Sequence, residues 1–230
     1  MAICSAELPK ERLTSRWSQP SFALRAAESG SPRRSVHNEM NQYLTSTEII
    51  DWKTPDVRKC AKDIAAGSTD VISISRACYE WVRDHISHSG DCKAAITTCC
   101  ASEVLQEGTG WCFAKSHLLA ALLRANKIPA GICYQRLCLD DESGFTLHGL
   151  NALHLPEIGW YRIDARGNKP GVNAQFCPPE EKLAWIPQMD GEMNLPEIWP
   201  DPMPIVVQCL NNNKDWQKVE ANLPDIEVIK

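Results

Sequence analysis

The chain has 230 residues, of which 43% are hydrophobic and 23% are charged, and its formal net charge is -5. This composition supports a domain with a buried core and excludes disorder throughout. The acidic balance lacks the basic surface that a phosphate backbone requires, so no nucleic acid partner is expected. No stretch approaches the roughly 20 apolar residues of a membrane-spanning helix, and no secretory signal is evident. We therefore predict a cytoplasmic protein with no membrane partner.

The eleven cysteines are an odd number, so at least one thiol must stay unpaired within the chain. They show no repeated C-x-x-C spacing, which argues against a zinc ribbon or a disulfide-rich scaffold. Cys92, Cys99, Cys100 and Cys112 could converge on a metal, but adjacent ligands such as Cys99 and Cys100 suit a tetrahedral site poorly. No metal and no cofactor is therefore expected. A redox role for Cys99 and Cys100 stays open as an alternative.

The chain divides into three parts by composition. Residues 1–40 are rich in Ser, Arg and Pro and are predicted to be a disordered leader rather than a targeting segment. Residues 41–175 are predicted to form the core domain. Residues 176–230 are a proline-rich C-terminal extension, expected to run over the surface and pack on the core. Trp185 and Trp199 in this extension either line a groove or belong to a strap across the core.

The first half of the core is predicted to be helical. Apolar residues at three- and four-residue spacing predict helices over 55–66 and 74–86. A shorter helix is predicted from Thr98 to Gln106, with Gly108 placed to end it. The clearest helix runs from Cys112 to Asn126. Its apolar stripe, from which Lys115 and Arg124 are excluded, consists of Ala114, Leu118, Ala121, Leu122 and Ala125.

The second half of the core is predicted to form strands. Residues 130–139 read as one strand, and a loop over 140–144 follows it. Two further strands, near 145–155 and 160–164, are joined by a tight turn and therefore form an antiparallel hairpin. The core is thus predicted to have a helical half followed by a strand-rich half.

Cys112 follows a glycine-containing turn and stands at the start of the strongest helix. Unpaired backbone N–H groups and the helix dipole favour negative charge there, so a thiolate is stabilised. The thiolate is the nucleophilic form of cysteine. The position therefore suits thiol catalysis, and the Cys112 N–H could also bind a developing oxyanion. The alternative is that Cys112 is one more buried thiol.

His148 and Asp164 are the best candidates for a base and its partner. If paired residues in the hairpin have numbers that sum to about 314, the two side chains are diagonal neighbours on one face. A carboxylate in that position can fix the tautomer of the imidazole and stabilise its protonated form. Each residue alone also fits a structural role at the sheet. Of the six histidines, His154 lies on the same predicted strand as His148, and the remaining four lie in leader, helical or loop contexts.

Two blocks of sequence resemble the transglutaminase-like superfamily, whose core is related to that of papain-like cysteine proteases. The first runs from Gly108-Thr109-Gly110-Trp111-Cys112 to Arg124-Ala125 and Ile128-Pro129-Ala130. The second runs from His148 through Gly159-Trp160 to Asp164. The resemblance covers roughly residues 40–170.

The resemblance implies a papain-like α+β fold, in which N-terminal helices and a helix-start cysteine pack on an antiparallel sheet that carries the histidine and the aspartate. It implies Cys112 as nucleophile, His148 as general base and acid, and Asp164 as the residue that orients the imidazole. Trp111 and Gln135 are candidates for a second oxyanion donor. The expected partner is a protein or peptide substrate whose amide bond is cleaved.

Three alternatives are kept. Because no calcium-binding loop is evident, hydrolysis is favoured over transfer to a lysine amine, which would make the protein a transglutaminase. A non-catalytic scaffold with the same fold would bind peptides without reacting. The redox or metal role of Cys99 and Cys100 is the third.

Overall fold

Residues 40–140 and 144–226 are described by a computed structural model of the chain. A short 3-10 helix over Gln42–Leu44 precedes the first α-helix. The α-helices of the described residues, numbered in chain order, are α1 Pro55–Ile64, α2 Val71–His85, α3 Ser89–Cys92, α4 Ala101–Glu107, α5 Cys112–Ala125, α6 Pro204–Asn212 and α7 Trp216–Glu220.

Strands alternate with these helices, so the fold of the described residues mixes helix and sheet as predicted. In chain order the strands are β1 Ser87–His88, β2 Thr109–Gly110, β3 Ala130–Asp140, β4 Gly144–Leu155, β5 Gly159–Ile163, β6 Gln175–Cys177, β7 Glu180–Lys182 and β8 Met193–Asn194. The predicted leader falls almost wholly outside the described residues, and so do residues 141–143 of the predicted loop.

Two helices begin at different residues from those predicted, because capping groups set their ends. α2 begins at Val71 rather than near 74, since the Asp70 carboxylate accepts the N–H of Ser73 at 2.9 Å. α4 begins only at Ala101, because Cys100 is extended and its backbone N–H donates to Glu103. The left-handed Gly108 ends α4 as expected.

The main sheet has four strands in the order β5-β4-β3-β8, and all neighbouring pairs are antiparallel. Ala152 pairs with Arg162, so the β4–β5 hairpin has the register sum of 314 that was predicted. Two smaller sheets complete the described structure. β1 pairs in parallel with β2, and β6 pairs antiparallel with β7.

Helix α5 is the central element of the core, because it lies between the main sheet and helices α1, α2 and α4. Every residue from Cys112 to Arg124 is buried, including the two side chains outside its apolar stripe. Arg124 donates to the carbonyls of Ala130, Thr45 and Pro200, and Lys115 donates to those of Ile86 and Arg83. Both cations therefore tie surrounding backbone to α5, which satisfies their buried donors.

The segment after β7 passes back over the main sheet. β8 forms its fourth strand beside β3, and Trp199 exchanges two backbone hydrogen bonds of 2.8 Å with Ile132. Trp199 thus lies along the strand edge. No helix among the described residues is both long and apolar enough to cross a bilayer.

Candidate active site

Cys112 is the first residue of α5, and its side chain contacts the middle of β4. Its Sγ accepts the backbone N–H of Gly149 at 3.5 Å. The residue is buried, with 7% of its surface exposed, yet it lines a cleft. A helix N-terminus and a backbone donor both direct partial positive charge at this sulfur, which favours the thiolate.

His148 and Asp164 form a buried pair, and the imidazole of this pair interacts with the Cys112 thiol. The Nε2 atom of His148 lies 2.8 Å from Oδ2 of Asp164. The Asp164 carboxylate also accepts the N–H of Arg166 at Oδ1, 3.0 Å, and that of Ala184 at Oδ2, 3.1 Å. These hydrogen bonds fix the carboxylate and, through it, the orientation of the imidazole.

The electrostatic setting keeps this pair charged. Burial by itself lowers the pKa of His148, but the charges of Asp164 and Cys112 and hydrogen bonds to both outweigh burial and raise that pKa above its ordinary value of 6.5. Burial likewise opposes ionisation of Asp164, yet the imidazolium and the two backbone donors hold the pKa of the carboxyl below its ordinary value. An imidazolium beside the sulfur favours the thiolate form.

The cleft that exposes the sulfur has a volume of about 340 Å³, within the usual range for a small-molecule or peptide side-chain site. Cys112 and His148 lie on its wall. Trp185 also lines it, so of the two tryptophans in the C-terminal extension this one borders a groove. Asp164 is 1% exposed and lies beneath the histidine.

The structure separates the two candidates for the second oxyanion donor. Trp111 lines the cleft beside Cys112, and its buried Nε1–H has no hydrogen-bond partner among the described residues. Gln135, in contrast, pairs with His148 across β3 and β4, and its Nε2 donates to the Trp185 carbonyl at 3.1 Å and to Asn194 at 2.8 Å. Its two donors are used and it does not line the cleft, so the structure does not bring Gln135 to the sulfur as a free donor.

Two cleft residues were not found from the sequence. His88, assigned to a helical or loop context, lies in β1, and its ring contacts Trp111 edge-on, with 5.2 Å between the ring centroids. Arg166 follows Asp164 and forms two hydrogen bonds with Asp91. The parallel pairing of β1 with β2 places His88 beside Gly110 and on the cleft wall, and a two-residue strand has no sequence signature.

Gly149 permits the close approach of α5 to β4. A Cβ atom there would lie 2.9 Å from a ring carbon of Phe113 and 3.0 Å from its Cα. We expect Gly149→Ala to push back the first turn of α5, which would lower the free energy of unfolding by about 1–3 kcal/mol. Displacing Cys112 should lower activity by roughly 100-fold. Denaturant unfolding and turnover rates measure the two effects.

Gly159→Ala is the matched control for this substitution. Gly159 lies at the far end of the hairpin with a φ of +85°, and a Cβ atom added there would meet no neighbouring atom within 4 Å. Alanine at this position should lower the free energy of unfolding by about 1 kcal/mol through backbone strain alone, with turnover unchanged. Equal activity losses in both variants would contradict the role given to Gly149.

The other buried cysteines have the opposite environment from a reactive thiol. Burial raises the pKa of the Cys78, Cys99 and Cys133 thiols to about 12. Burial also raises the pKa of Cys100. Among the described residues, no group of three or more His, Cys, Asp or Glu side chains could hold a metal ion.

The site combines a thiol at the start of a helix with a histidine–carboxylate pair on the adjoining sheet, which is the combination that the sequence motifs indicate. Residues 58–165 match a family model described as the transglutaminase-like superfamily. The resemblance to this superfamily that was drawn from the sequence motifs is confirmed over these residues. The matched range includes Cys112, His148 and Asp164. No curated protein matches the chain.

Among solved structures, the chain is similar to a proposed cysteine protease from Cytophaga hutchinsonii, with 18% identity over 59% of this chain and 45% of that one, and a TM-score of 0.47. It is also similar to the periplasmic domain of TgpA from Pseudomonas aeruginosa, with 17% identity over 56% of this chain and 47% of that one, and a TM-score of 0.44. The chain thus spans less than half the length of either protein.

Proposed function

We propose that the protein is a thiol-dependent acyl-transfer enzyme that cleaves peptide or amide bonds with Cys112 as nucleophile, His148 as acid and base, and Asp164 as the orienting residue. The observation that carries the proposal is the arrangement around one sulfur: a helix N-terminus, the Gly149 N–H, and an imidazole held at 2.8 Å by a buried carboxylate. Together these groups generate a nucleophile and return its proton.

In the first step the Cys112 sulfur attacks the carbonyl carbon of an amide, and an S–C bond forms. The carbonyl oxygen gains negative charge as its double bond opens. The Cys112 backbone N–H and the unpaired Trp111 Nε1–H are the donors available on the cleft wall to receive this charge. Collapse of the intermediate breaks the C–N bond, and the His148 imidazolium protonates the departing amine.

The second step regenerates the thiol. His148, now neutral, accepts a proton from water as the water oxygen attacks the thioester carbon, and the carbon–sulfur bond breaks to release a carboxylic acid. Attack by a lysine amine in place of water would make the protein a transglutaminase. We propose hydrolysis as the main reaction, in keeping with the preference drawn from the sequence motifs.

Mapped alkylation tests the nucleophile directly. We expect limiting iodoacetamide to label Cys112 before any other thiol, because this sulfur lies at a helix N-terminus beside the His148 imidazole. The exposed Cys92 is an internal reference within the same sample. In His148→Gln the preference of Cys112 over Cys92 should fall by roughly 100-fold, because the imidazolium that stabilises the thiolate is gone. Mass spectrometry of the digested protein provides the measurement.

Labelling that is equal at Cys112 and Cys92 in the unmodified protein would contradict the enzyme and favour a non-catalytic scaffold. The choice between water and amine needs a second assay. Ammonia release from a glutamine peptide and incorporation of a labelled primary amine are measured side by side. Amine incorporation as fast as ammonia release would overturn the preference for hydrolysis.

A further inference from the structure

The wall of the cleft beside Cys112 is made largely of apolar side chains. They come from places that are distant in the chain: the end of β3, the start of β4, and the segments that follow β7 and α7. The main ones are Leu137, Leu139, Leu147, Trp185, Ile186 and Leu223. An apolar wall next to a nucleophile favours substrates that present apolar surface to it.

Several of these side chains face solvent at the rim of the cleft. Ile186 is 74% exposed, Leu139 is 49% exposed and Trp185 is 36% exposed. A single exposed apolar residue needs no explanation, but three on the rim of one cleft form a patch that a ligand can cover. Burying such side chains against a substrate stabilises the complex by about 25 cal/mol for each Å² removed from water.

The charged side chains of Arg166 and Glu192 on the cleft wall already have partners. Both terminal nitrogens of Arg166 are bound to Asp91, at 2.5 and 2.9 Å. The Glu192 carboxylate accepts three backbone N–H groups, those of Cys138, Gln188 and Met189. The hydrogen bonds of these two side chains are thus already made within the protein, and a charged substrate side chain would lose its hydration beside them.

The segment that presents Trp185 and Ile186 is held from both sides. The Ala184 N–H donates to Asp164, and the Trp185 carbonyl accepts from Gln135 at 3.1 Å. Further along, the Gly191 carbonyl accepts from Arg136 at 3.0 Å. The two apolar side chains are thus placed by fixed backbone, which reduces the ordering that binding requires.

We propose that the cleft selects substrates with an uncharged, apolar side chain next to the reacting carbonyl, and that Trp185 and Ile186 determine this specificity. The inference rests on the proposed function, because it places the side chain beside the Cys112 sulfur. The substrate class is therefore an apolar peptide or acyl group, in contrast to acidic or basic peptides.

Three matched alkylating reagents test the proposal: iodoacetamide, its N-hexyl derivative and its N-(5-carboxypentyl) derivative. The last two have similar length and differ in one charged group. We expect Cys112 to react at least about tenfold faster with the hexyl reagent than with the carboxypentyl reagent. The rate of Cys92 with each reagent corrects for intrinsic reactivity.

Ile186→Asp should lower the ratio of the Cys112 rate with the hexyl reagent to that with the carboxypentyl reagent by roughly tenfold. Each rate is first divided by the iodoacetamide rate of the same variant. Ile158→Asp is the control, since Ile158 is 40% exposed in the turn between β4 and β5 and outside the cleft lining. That variant should keep the ratio of the unmodified protein.

The outcomes separate the two proposals. If Cys112 shows no preference over Cys92 even with iodoacetamide, the proposed function fails. If iodoacetamide prefers Cys112 but the hexyl and carboxypentyl reagents react equally, the enzyme stands and the apolar substrate class is overturned. A ratio that falls equally in the Ile186 and Ile158 variants would also overturn the role of Ile186.

Discussion

Cys112→Ala is expected to lower the turnover of amide substrates by about 10⁴-fold or more, because the sulfur that forms the thioester is removed. The fold should persist for two reasons. The hydrogen bond that the thiol accepts from the Gly149 N–H is long, so its loss costs little. The His148 imidazole loses its contact with the thiol but keeps its hydrogen bond with Asp164. The free energy of unfolding should fall by no more than about 1 kcal/mol. Turnover of an apolar peptide amide and denaturant unfolding provide the two measurements.

Cys133→Ala is the matched control. Cys133 is also buried, 2% exposed, but it packs in a small cluster with Leu150 and Ala152 and does not line the cleft. Its substitution should cost a similar amount of stability and leave turnover unchanged. Residual turnover above about 1% in Cys112→Ala would show that another group performs the reaction. The Cys138 thiol, which lines the same cleft, would be the first to test.

Asp164→Asn is expected to lower turnover by about 10³–10⁴-fold, as for other triads in which the carboxylate is replaced by an amide. An asparagine at this position retains one acceptor oxygen, which can serve the Arg166 N–H. Its amide nitrogen cannot accept from the imidazole or from the Ala184 N–H, both of which lie at Oδ2. The imidazole then loses both its orientation and its countercharge.

The pH dependence of kcat/KM distinguishes an orienting role of Asp164 from a purely structural role. In the unmodified protein the imidazolium persists above pH 6.5, because Asp164 and Cys112 raise the pKa of His148, and it is lost as pH rises through that higher pKa. Without the carboxylate the pKa of His148 falls, so the alkaline limb of kcat/KM should move to lower pH. Asp201→Asn, which removes a carboxylate bound to Thr47, should leave the limb in place.

The free energy of unfolding should also depend on pH through His148 and Asp164. The raised pKa of His148 stabilises the fold fully below about pH 6.5, and this contribution is lost as pH rises through the folded-state pKa. The lowered pKa of Asp164 stabilises the fold above about pH 3.8, and that contribution is lost as pH falls. In Asp164→Asn the unfolding midpoint should therefore vary less with pH. An unchanged pH dependence would contradict a charged pair.

The sequence by itself determined the parts of the molecule that depend on local pattern. Apolar spacing and a preceding glycine turn defined α5 and placed Cys112 at its start, because helix periodicity and helix ends are short-range properties. Strand alternation and the turn before Gly159 defined the β4–β5 hairpin and its register, and this register brings His148 to Asp164. The superfamily resemblance rested on the same two blocks.

The tertiary structure decided everything that depends on contacts between distant segments. Burial of Lys115 and Arg124 follows from carbonyls presented by other elements, and no spacing within α5 indicates it. The donors of Gln135 are taken by Asn194 and by the backbone at Trp185, both far along the chain from β3. His88 reaches the cleft wall through a two-residue parallel pairing. Such contacts are set by how the whole chain packs, since burial and hydrogen bonding are satisfied collectively and not residue by residue.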